Sequence, residues 1–312
     1  MSKPKGLDSN FIMNNQNNYY PIYLDYPLYS EPRYGWGKPV HPKLYEIINK
    51  NRAVYEKILL DFLALKPNYL LMPKHPSPGE INQPAWINGS LPGLDAVALY
   101  GFISQYKPSR YFEIGVGNST KFAKQAINDH SNRTSITAID PYPMPGVADI
   151  YDTLIIKPLE HLALEIFDEL EAGDILFIDN SHRVFMNSDV TVVFLDILPR
   201  LKAGVLVEFH DIGLPIDYPP QWTEKYYSEQ YLLAAYLLAE GQKFDVILPN
   251  AFISLDDSLS QIMNPLWQSP QLNGNGDKHF EALAKVEDGL SKNPQMVEII
   301  DTHGSSFWIE MK

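Results

Sequence analysis

The sequence predicts an α/β protein built on a Rossmann-like, seven-stranded, mainly parallel sheet with a helical N-terminal extension. Short apolar runs alternate with helical stretches from Arg110 to the end of the chain, which is typical of βαβ units. Two glycines follow the first of these runs and open a helix, as in nucleotide-binding sheets. The 312 residues, 45% of them hydrophobic, are enough to bury a large core.

Two segments precede the predicted sheet. Residues 1–42 are rich in Asn, Pro and Tyr without a sustained period, and their aromatic rings predict an arm that packs along the body or a dimer partner. Apolar residues recur at three- and four-residue steps in much of residues 43–106, which predicts a helical extension. We therefore expect an arm (1–42), a helical extension (43–106) and a domain (107–312).

The remaining elements follow in chain order. The apolar runs predict seven strands, at residues 110–114, 135–139, 153–156, 175–178, 205–209, 244–248 and 306–310. Helices are predicted between them near residues 119–129, 159–171, 188–201 and 226–241, and a helix at 279–290 could connect the last two strands.

Charge and composition exclude several classes of protein. The sequence has 25 Lys and Arg against 38 Asp and Glu, and this net charge of −13 would repel a nucleic-acid backbone. Without cysteine, the chain can form neither disulfides nor thiolate metal sites. No apolar run approaches the roughly 18 residues of a membrane-spanning helix, and no signal-peptide pattern opens the sequence. We expect a cytoplasmic protein with no nucleic-acid or membrane partner.

The segment after the first strand, Glu113-Ile-Gly-Val-Gly-Asn-Ser-Thr120, indicates a cofactor loop. Its glycines let the backbone turn and approach a ligand, and the following helix offers free N–H groups. Asp140 ends the next strand, where a carboxylate can bind the ribose of a dinucleotide or of S-adenosylmethionine. Thr120 stands where a dinucleotide fingerprint has its third glycine, which argues against a dinucleotide cofactor. Glu113 would repel a pyrophosphate but can interact with the cationic methionine end of S-adenosylmethionine.

The motifs E-I-G-x-G-x-S-T, I-D-P, I-D-x-S-H and H-D-I resemble those of class I S-adenosylmethionine-dependent methyltransferases. The resemblance is closest to a bacterial branch similar to metal-dependent O-methyltransferases and cephalosporin-hydroxylase-like proteins, and it covers roughly residues 90–255. It implies that the last strand runs antiparallel. It also implies cofactor contacts at Glu113, Gly115, Gly117, Asn118, Ser119 and Asp140, and we add Asp179 to this predicted set.

Polar residues follow the fourth and fifth predicted strands, with Asp179 and His182 after one and His210 and Asp211 after the other. The carboxyl ends of neighbouring parallel strands face one crevice, so these side chains should meet beside the cofactor. Asp179, His210 and Asp211 together could hold a divalent cation such as Mg²⁺ or Mn²⁺. Each residue also has a structural alternative, in which Asp179 caps a turn and the histidines only support the sheet edge.

These features predict transfer of a methyl group from S-adenosylmethionine to an oxygen, or in second place a nitrogen, of a small-molecule acceptor. A hydroxyl attacks a sulfonium slowly unless its proton is removed, so we expect catalytic residues among Asp179, His182 and His210, with His182 preferred as the base. Two alternatives stay open: a nicotinamide-dependent oxidoreductase, and a non-catalytic protein that retains the cofactor fold. A second copy of the chain is a candidate partner.

Overall fold

The computed structural model describes residues 25–130, 133–144, 150–239, 243–272 and 300–312. The chain divides into two compact units, residues 1–31 and residues 32–312. Residues 25–31, the described part of the first unit, contain no helix or strand, and the rings of Tyr26 and Tyr29 are exposed. The second unit contains both the predicted helical extension and the predicted sheet. Residues 32–42 of the predicted arm belong to the second unit, where the backbone N–H of Tyr34 donates to the carboxylate of Asp217 at 2.8 Å. Residues 1–24 of the arm and the predicted helix at 279–290 lie outside the described residues.

Seven strands of the described chain form one sheet. They are β1 (Arg110–Ile114), β2 (Ser135–Ile139), β3 (Thr153–Ile155), β4 (Ile175–Ile178), β5 (Leu206–Phe209), β6 (Phe244–Pro249) and β7 (Phe307–Met311). Their order is β3-β2-β1-β4-β5-β7-β6, and all pairs are parallel except those of β7 with β5 and β6. The predicted Rossmann-like sheet with an antiparallel last strand is therefore confirmed. Its strand order reverses between β1 and β4, where open α/β sheets bind ligands.

The α-helices of the described chain are α1 (Pro42–Asn49), α2 (Arg52–Leu63), α3 (Lys66–Tyr69), α4 (Gly93–Tyr106), α5 (Asn118–His130), α6 (Asp189–Val192), α7 (Glu229–Leu238), α8 (Asn250–Leu255) and α9 (Asn264–Trp267). Helix α4 is buried along its length from Gly93 to Ile103 and packs on the sheet, with the ring of Phe102 4.5 Å from that of Trp308. The predicted extension therefore contributes to the same hydrophobic core as the sheet.

Two predicted helices differ in the structure. The stretch predicted as a helix at 159–171 consists of the 3₁₀ segments Leu159–His161 and Leu164–Glu169, because the backbone between them is extended at Leu162 and Ala163. The helix predicted at 188–201 begins as α6 and continues as a π-helical and then a 3₁₀ segment, with Pro199 in the last turn. Both stretches still bury or partly bury most of their apolar residues, although Leu195 is exposed, and burial is the only property that the apolar spacing indicates.

Candidate active site

The glycine loop between β1 and α5 lies against the end of β4. Gly115 has a φ of +81°, and a Cβ there would lie 1.8 Å from the backbone oxygen of Asp179. Only glycine can therefore occupy this position without moving β4. At Gly117, by contrast, a Cβ would meet no heavy atom of the described residues within 4 Å. The loop thus leaves open space at Gly117, on the side where a cofactor is predicted.

Glu113 stabilises this loop from the protein interior. The hydroxyls of Ser119 and Thr120 each donate a hydrogen bond of 2.5 Å to one of its carboxyl oxygens. Burial raises the pKa of Glu113 to about 8, although the two hydroxyls oppose that shift. Thr120, the residue that replaces the third glycine of a dinucleotide fingerprint, therefore has a bonding role that glycine could not fill. Because Glu113 is fully buried, its side chain lies inside the loop and away from the open space at Gly117.

Asp140 and Asn118 fix the other sides of the loop. The carboxylate of Asp140 accepts hydrogen bonds from the backbone N–H groups of Val116, at 2.9 Å, and Tyr142, at 2.6 Å. Each of its oxygens keeps a second lone pair that a ribose hydroxyl could use. The amide nitrogen of Asn118 donates to acceptors on residues 88 and 90, at 3.1 and 2.9 Å. The loop is therefore tied both to β2 and to the segment that precedes α4.

His182 lies at the centre of a cluster of carboxylates. Its Nδ1 is 2.9 Å from Oε2 of Glu229, and its Nε2 is 3.2 Å from Oδ1 of Asp179 and 3.6 Å from Oδ2 of Asp211. Burial lowers the pKa of His182, but its hydrogen bonds to Asp179 and Glu229 and the charge of Asp211 outweigh burial and raise the pKa to about 10. At neutral pH this imidazole is protonated and has no free lone pair for a general base.

His210 stands in a second group of carboxylates beside the first. Its Nε2 is 3.5 Å from Asp95, and its Nδ1 is 3.5 Å from Asp211 and 3.7 Å from Asp179. Burial opposes its charged form, but these carboxylates raise its pKa well above the usual value. For Asp179, burial favours the neutral acid, yet the two histidines lower its pKa. Asp179 is therefore an ionised carboxylate between two imidazolium rings.

The predicted metal ligands do not fit a divalent cation. Asp179, His210 and Asp211 do lie together, but each ring nitrogen of His210 already faces a carboxylate, Nε2 that of Asp95 and Nδ1 that of Asp211, both at 3.5 Å. No group of three metal-ligating side chains with suitable placement occurs in the described ranges. We therefore derive no step through a metal ion.

The cluster opens into a cavity of about 270 Å³. The cavity is lined by the predicted residues Asp179, His182, His210 and Asp211 and by four other groups: Trp86 to Pro92, Asn180, the aromatic residues Trp222 and Tyr227, and Asp301 with Ser305. Of the cluster's members, the side chain of Asp179 is 39% exposed, whereas the two histidine side chains are each only 4% exposed. Asp179 is thus the most accessible of these three groups to a molecule in the cavity.

Several residues of this site lie outside the motifs of the sequence. Glu229 comes from α7 and Asp95 from the first turn of α4, so neither is near the strand ends in the sequence. The only signal for either is an acidic residue in an otherwise apolar helix, which also fits a solvated position. Asp301 follows a long polar stretch and has no pattern of its own.

The comparisons with known proteins agree with the fold. Residues 112–212 match a family model described as a methyltransferase domain. The strand order and this match confirm the resemblance to class I methyltransferases that the motifs indicated. The chain is also 33% identical over 90 residues to an uncharacterized protein of Archaeoglobus fulgidus, a match that covers 27% of this chain and 41% of that protein.

Solved structures of methyltransferases resemble the whole chain more distantly. The plantazolicin methyltransferase BamL, in complex with a triazolic desmethylPZN analog and SAH, aligns over 86% of this chain and 99% of its own, with 14% identity and a TM-score of 0.36. An O-methyltransferase from Bacillus cereus, in complex with SAH, aligns over 86% and 100%, with 12% identity and a TM-score of 0.30. These values are too low to define a shared site. Within the described ranges, every helix is too short or too polar to span a bilayer.

Proposed function

We propose that this protein transfers a methyl group from S-adenosylmethionine to a hydroxyl oxygen of a small molecule. The observation that carries the proposal is the backbone contact between Gly115 and Asp179. This contact joins the predicted cofactor loop to an ionised carboxylate that faces a cavity. A methyl donor and an acceptor bound on the two sides of this contact would be neighbours, and alignment of the two reactants is the main requirement of such a displacement.

The glycine loop between β1 and α5 supports S-adenosylmethionine as the cofactor. The open space at Gly117 admits a ligand close to the backbone, and the first turn of α5 offers N–H groups to it. Asp140 would bind the ribose with the lone pairs left by its two backbone hydrogen bonds. When bound, this cofactor supplies an electrophilic methyl group.

Asp179 is the residue that we propose to take the proton of the acceptor. We assign this role to Asp179 rather than to His182, the predicted base, because His182 is already protonated at neutral pH. A carboxylate of low pKa is a weak base, but a hydroxyl becomes strongly acidic as its oxygen forms the new bond, so a weak base suffices late in the transfer. His182, at 3.2 Å from Asp179, orients that carboxylate and stabilises its charge.

Oxygen is favoured over nitrogen as the acceptor atom by the same cluster. Three carboxylates, Asp179, Asp211 and Asp301, line the cavity. Negative charge favours the protonated form of an amine, and an ammonium nitrogen has no lone pair with which to attack. A hydroxyl keeps its lone pairs in these surroundings. An N-methyltransferase would need to bind its amine in the neutral form.

Calorimetry with S-adenosylmethionine tests the cofactor assignment. Replacement of Asp140 by Asn should weaken binding by about tenfold or more, because it removes charge-assisted hydrogen bonds to the ribose. The matched control is Asp152→Asn, since Asp152 also accepts a backbone N–H, that of Ile136 at 2.8 Å, at the start of β2. Unchanged affinity in a folded Asp140→Asn variant, or no binding by the wild-type protein, contradicts the proposal.

The role of Asp179 is tested with hydroxylated small molecules and detection of released S-adenosylhomocysteine. Asp179→Asn should reduce turnover by about 100-fold or more while cofactor affinity stays within a few-fold of wild type. Equal turnover in this variant would remove Asp179 from the mechanism.

A further inference from the structure

Asp301 lines the cavity but has no part in the chemistry derived above. Its side chain is only 8% exposed. Its Oδ1 accepts the backbone N–H of His303 at 3.0 Å and lies 3.1 Å from Nδ1 of the same residue. Its Oδ2 is buried and has no hydrogen-bond partner in the part of the chain that the structure describes. Because an unpaired buried carboxylate oxygen is costly, this atom is suited to a donor that a ligand supplies.

The charges around the cavity select the kind of donor. Apart from the two imidazoles, the charged side chains among the described lining residues are all carboxylates, and no Lys or Arg is among them. Trp86, Trp222 and Tyr227 supply aromatic surface to the same lining. Two of these rings already attract cations from residues that do not line the cavity. The Nζ atom of Lys225 lies 4.0 Å from the centroid of Trp222 and 5.2 Å from that of Tyr227, and the guanidinium carbon of Arg183 lies 5.2 Å from the centroid of Tyr227. Carboxylates beside aromatic rings form a favourable environment for a protonated amine and an unfavourable one for an anion.

We infer that Asp301 is a specificity-determining residue that binds an ammonium group of the acceptor. The acceptor class is then a small hydroxylated amine, whose hydroxyl reacts near Asp179 while its ammonium group donates to Oδ2 of Asp301. This assignment of a substrate class rests on the proposed function, but the recognition of the ammonium group does not depend on methyl transfer. A neutral polyol could also donate to Asp301, but it would gain nothing from the negative charge of the lining.

Three probes of the same shape test the inference. Tyramine, tyrosol and 4-hydroxyphenylacetate are phenols whose side chains end in an ammonium, a hydroxyl and a carboxylate group. Calorimetry or NMR titration of the full chain, with and without S-adenosylhomocysteine, should show tyramine binding about tenfold or more tightly than tyrosol, with the carboxylate weakest. Equal or tighter binding of tyrosol or of the carboxylate, or no binding of tyramine, overturns the inference.

A variant pair assigns the preference to one residue. Asp301→Asn keeps an oxygen for the backbone N–H of His303 but removes the charge, and should reduce the preference for tyramine over tyrosol to less than about threefold. The control Asp245→Asn removes an exposed carboxylate paired with Lys312 and should leave the preference unchanged. A folded Asp301→Asn variant with the full preference overturns the inference. If that variant does not fold, the wild-type comparison of the three probes still decides.

The two proposals fail in different ways. A protein that prefers tyramine but does not bind S-adenosylmethionine would retain the ammonium site and lose the proposed function. A protein that binds the cofactor and methylates hydroxyls, but prefers tyrosol or the carboxylate, would retain the proposed function and lose the ammonium site.

Discussion

The charge of one imidazole ring organises the chemistry at the strand ends. Glu229 and Asp179 bind the two nitrogens of His182, so the ring is shared between a helix and a strand end. In its protonated form it can donate to both carboxylates at once. The same contacts that make it a good positioning group therefore make it a poor general base at neutral pH.

NMR titration of the His182 ring tests this protonation state directly. We expect its midpoint near pH 10, and the substitution Glu229→Gln should lower the midpoint by about 1 unit or more, because it removes a negative partner. Glu224→Gln, which removes an exposed carboxylate from the preceding segment, serves as the control. A wild-type midpoint near the ordinary value of 6.5 would return His182 to the role of general base that the sequence predicted.

The motifs were sufficient to predict which residues meet at the strand ends, but not their protonation. Asp179, His182, His210 and Asp211 follow adjacent strands, and parallel pairing of β4 and β5 brings their ends together. The pKa of each histidine depends instead on Glu229 and Asp95, which belong to helices far away in the sequence. Glu229 and Asp95 occupy ring nitrogens that a metal ion would need, and no local sequence pattern indicates either residue.

At the scale of elements, the first turn of α4 connects the extension to the sheet. The carboxylate of Asp95 accepts the backbone N–H groups of Ser305 and Ser306, at 2.8 and 2.9 Å, and the side-chain amide of Asn250 at 2.7 Å. Its Oδ2 also lies 3.5 Å from His210. One fully buried side chain thus ties α4 to the start of β7 and to the active site.

Asp95→Ala should lower the free energy of unfolding by about 3 kcal/mol or more, because it leaves two buried N–H groups and a buried imidazolium without their partner. Urea denaturation measures the loss, and hydrogen exchange at residues 305 and 306 should quicken most. The exposed carboxylate of Asp61, which pairs with Lys57 on α2, provides the comparison: Asp61→Ala should cost less than about 1 kcal/mol. Similar losses in the two variants would contradict the role of Asp95.

Strands were predicted more accurately than helices, and the reason is physical. Most strands are short apolar runs buried on both faces of the sheet, as in β4, where every residue is buried, and only the edge strand β3 has no buried residue. The stretch at residues 159–171 also alternates buried and exposed residues, but α-helical and 3₁₀ turns bury Leu159 and Phe167 equally well. The apolar spacing therefore predicted where this segment lies, but it could not distinguish an α-helix from a 3₁₀ helix.

Several buried ionisable groups make the stability of the folded protein depend on pH in the same direction. The folded protein raises the pKa of Glu113 from 4.5 to about 8, mainly through burial, and that of Glu208 well above its usual value for the same reason. Its carboxylates raise the pKa of His182 from 6.5 to about 10, against the effect of burial. A raised folded-state pKa contributes stability below the unfolded value and loses it as pH rises through the folded value. All three groups therefore act in the same direction.

We expect the free energy of unfolding to fall by several kcal/mol between about pH 5 and pH 10, with Glu113 contributing between pH 4.5 and about 8, together with Glu208 and, above pH 6.5, His182. Denaturant titrations across this range measure the slope. Glu113→Gln should reduce the slope below pH 8 without abolishing it, because the amide is neutral at every pH while Glu208 and His182 still titrate, whereas Glu165→Gln at an exposed position should leave the slope unchanged. A wild-type stability that is constant or rises across this range is the contrary result.

The walls of the cavity come mostly from outside the region that matches the methyltransferase domain. Residues 86–92 precede that region, and Trp222, Tyr227 and Asp301 follow it, whereas Asp179 and His182 lie within it. Under the proposed function, changes in these flanking segments would alter the acceptor and leave the cofactor loop and Asp179 unchanged. For the same reason, a laboratory library aimed at new acceptors should randomise these flanks first and keep Gly115 and Asp179 fixed.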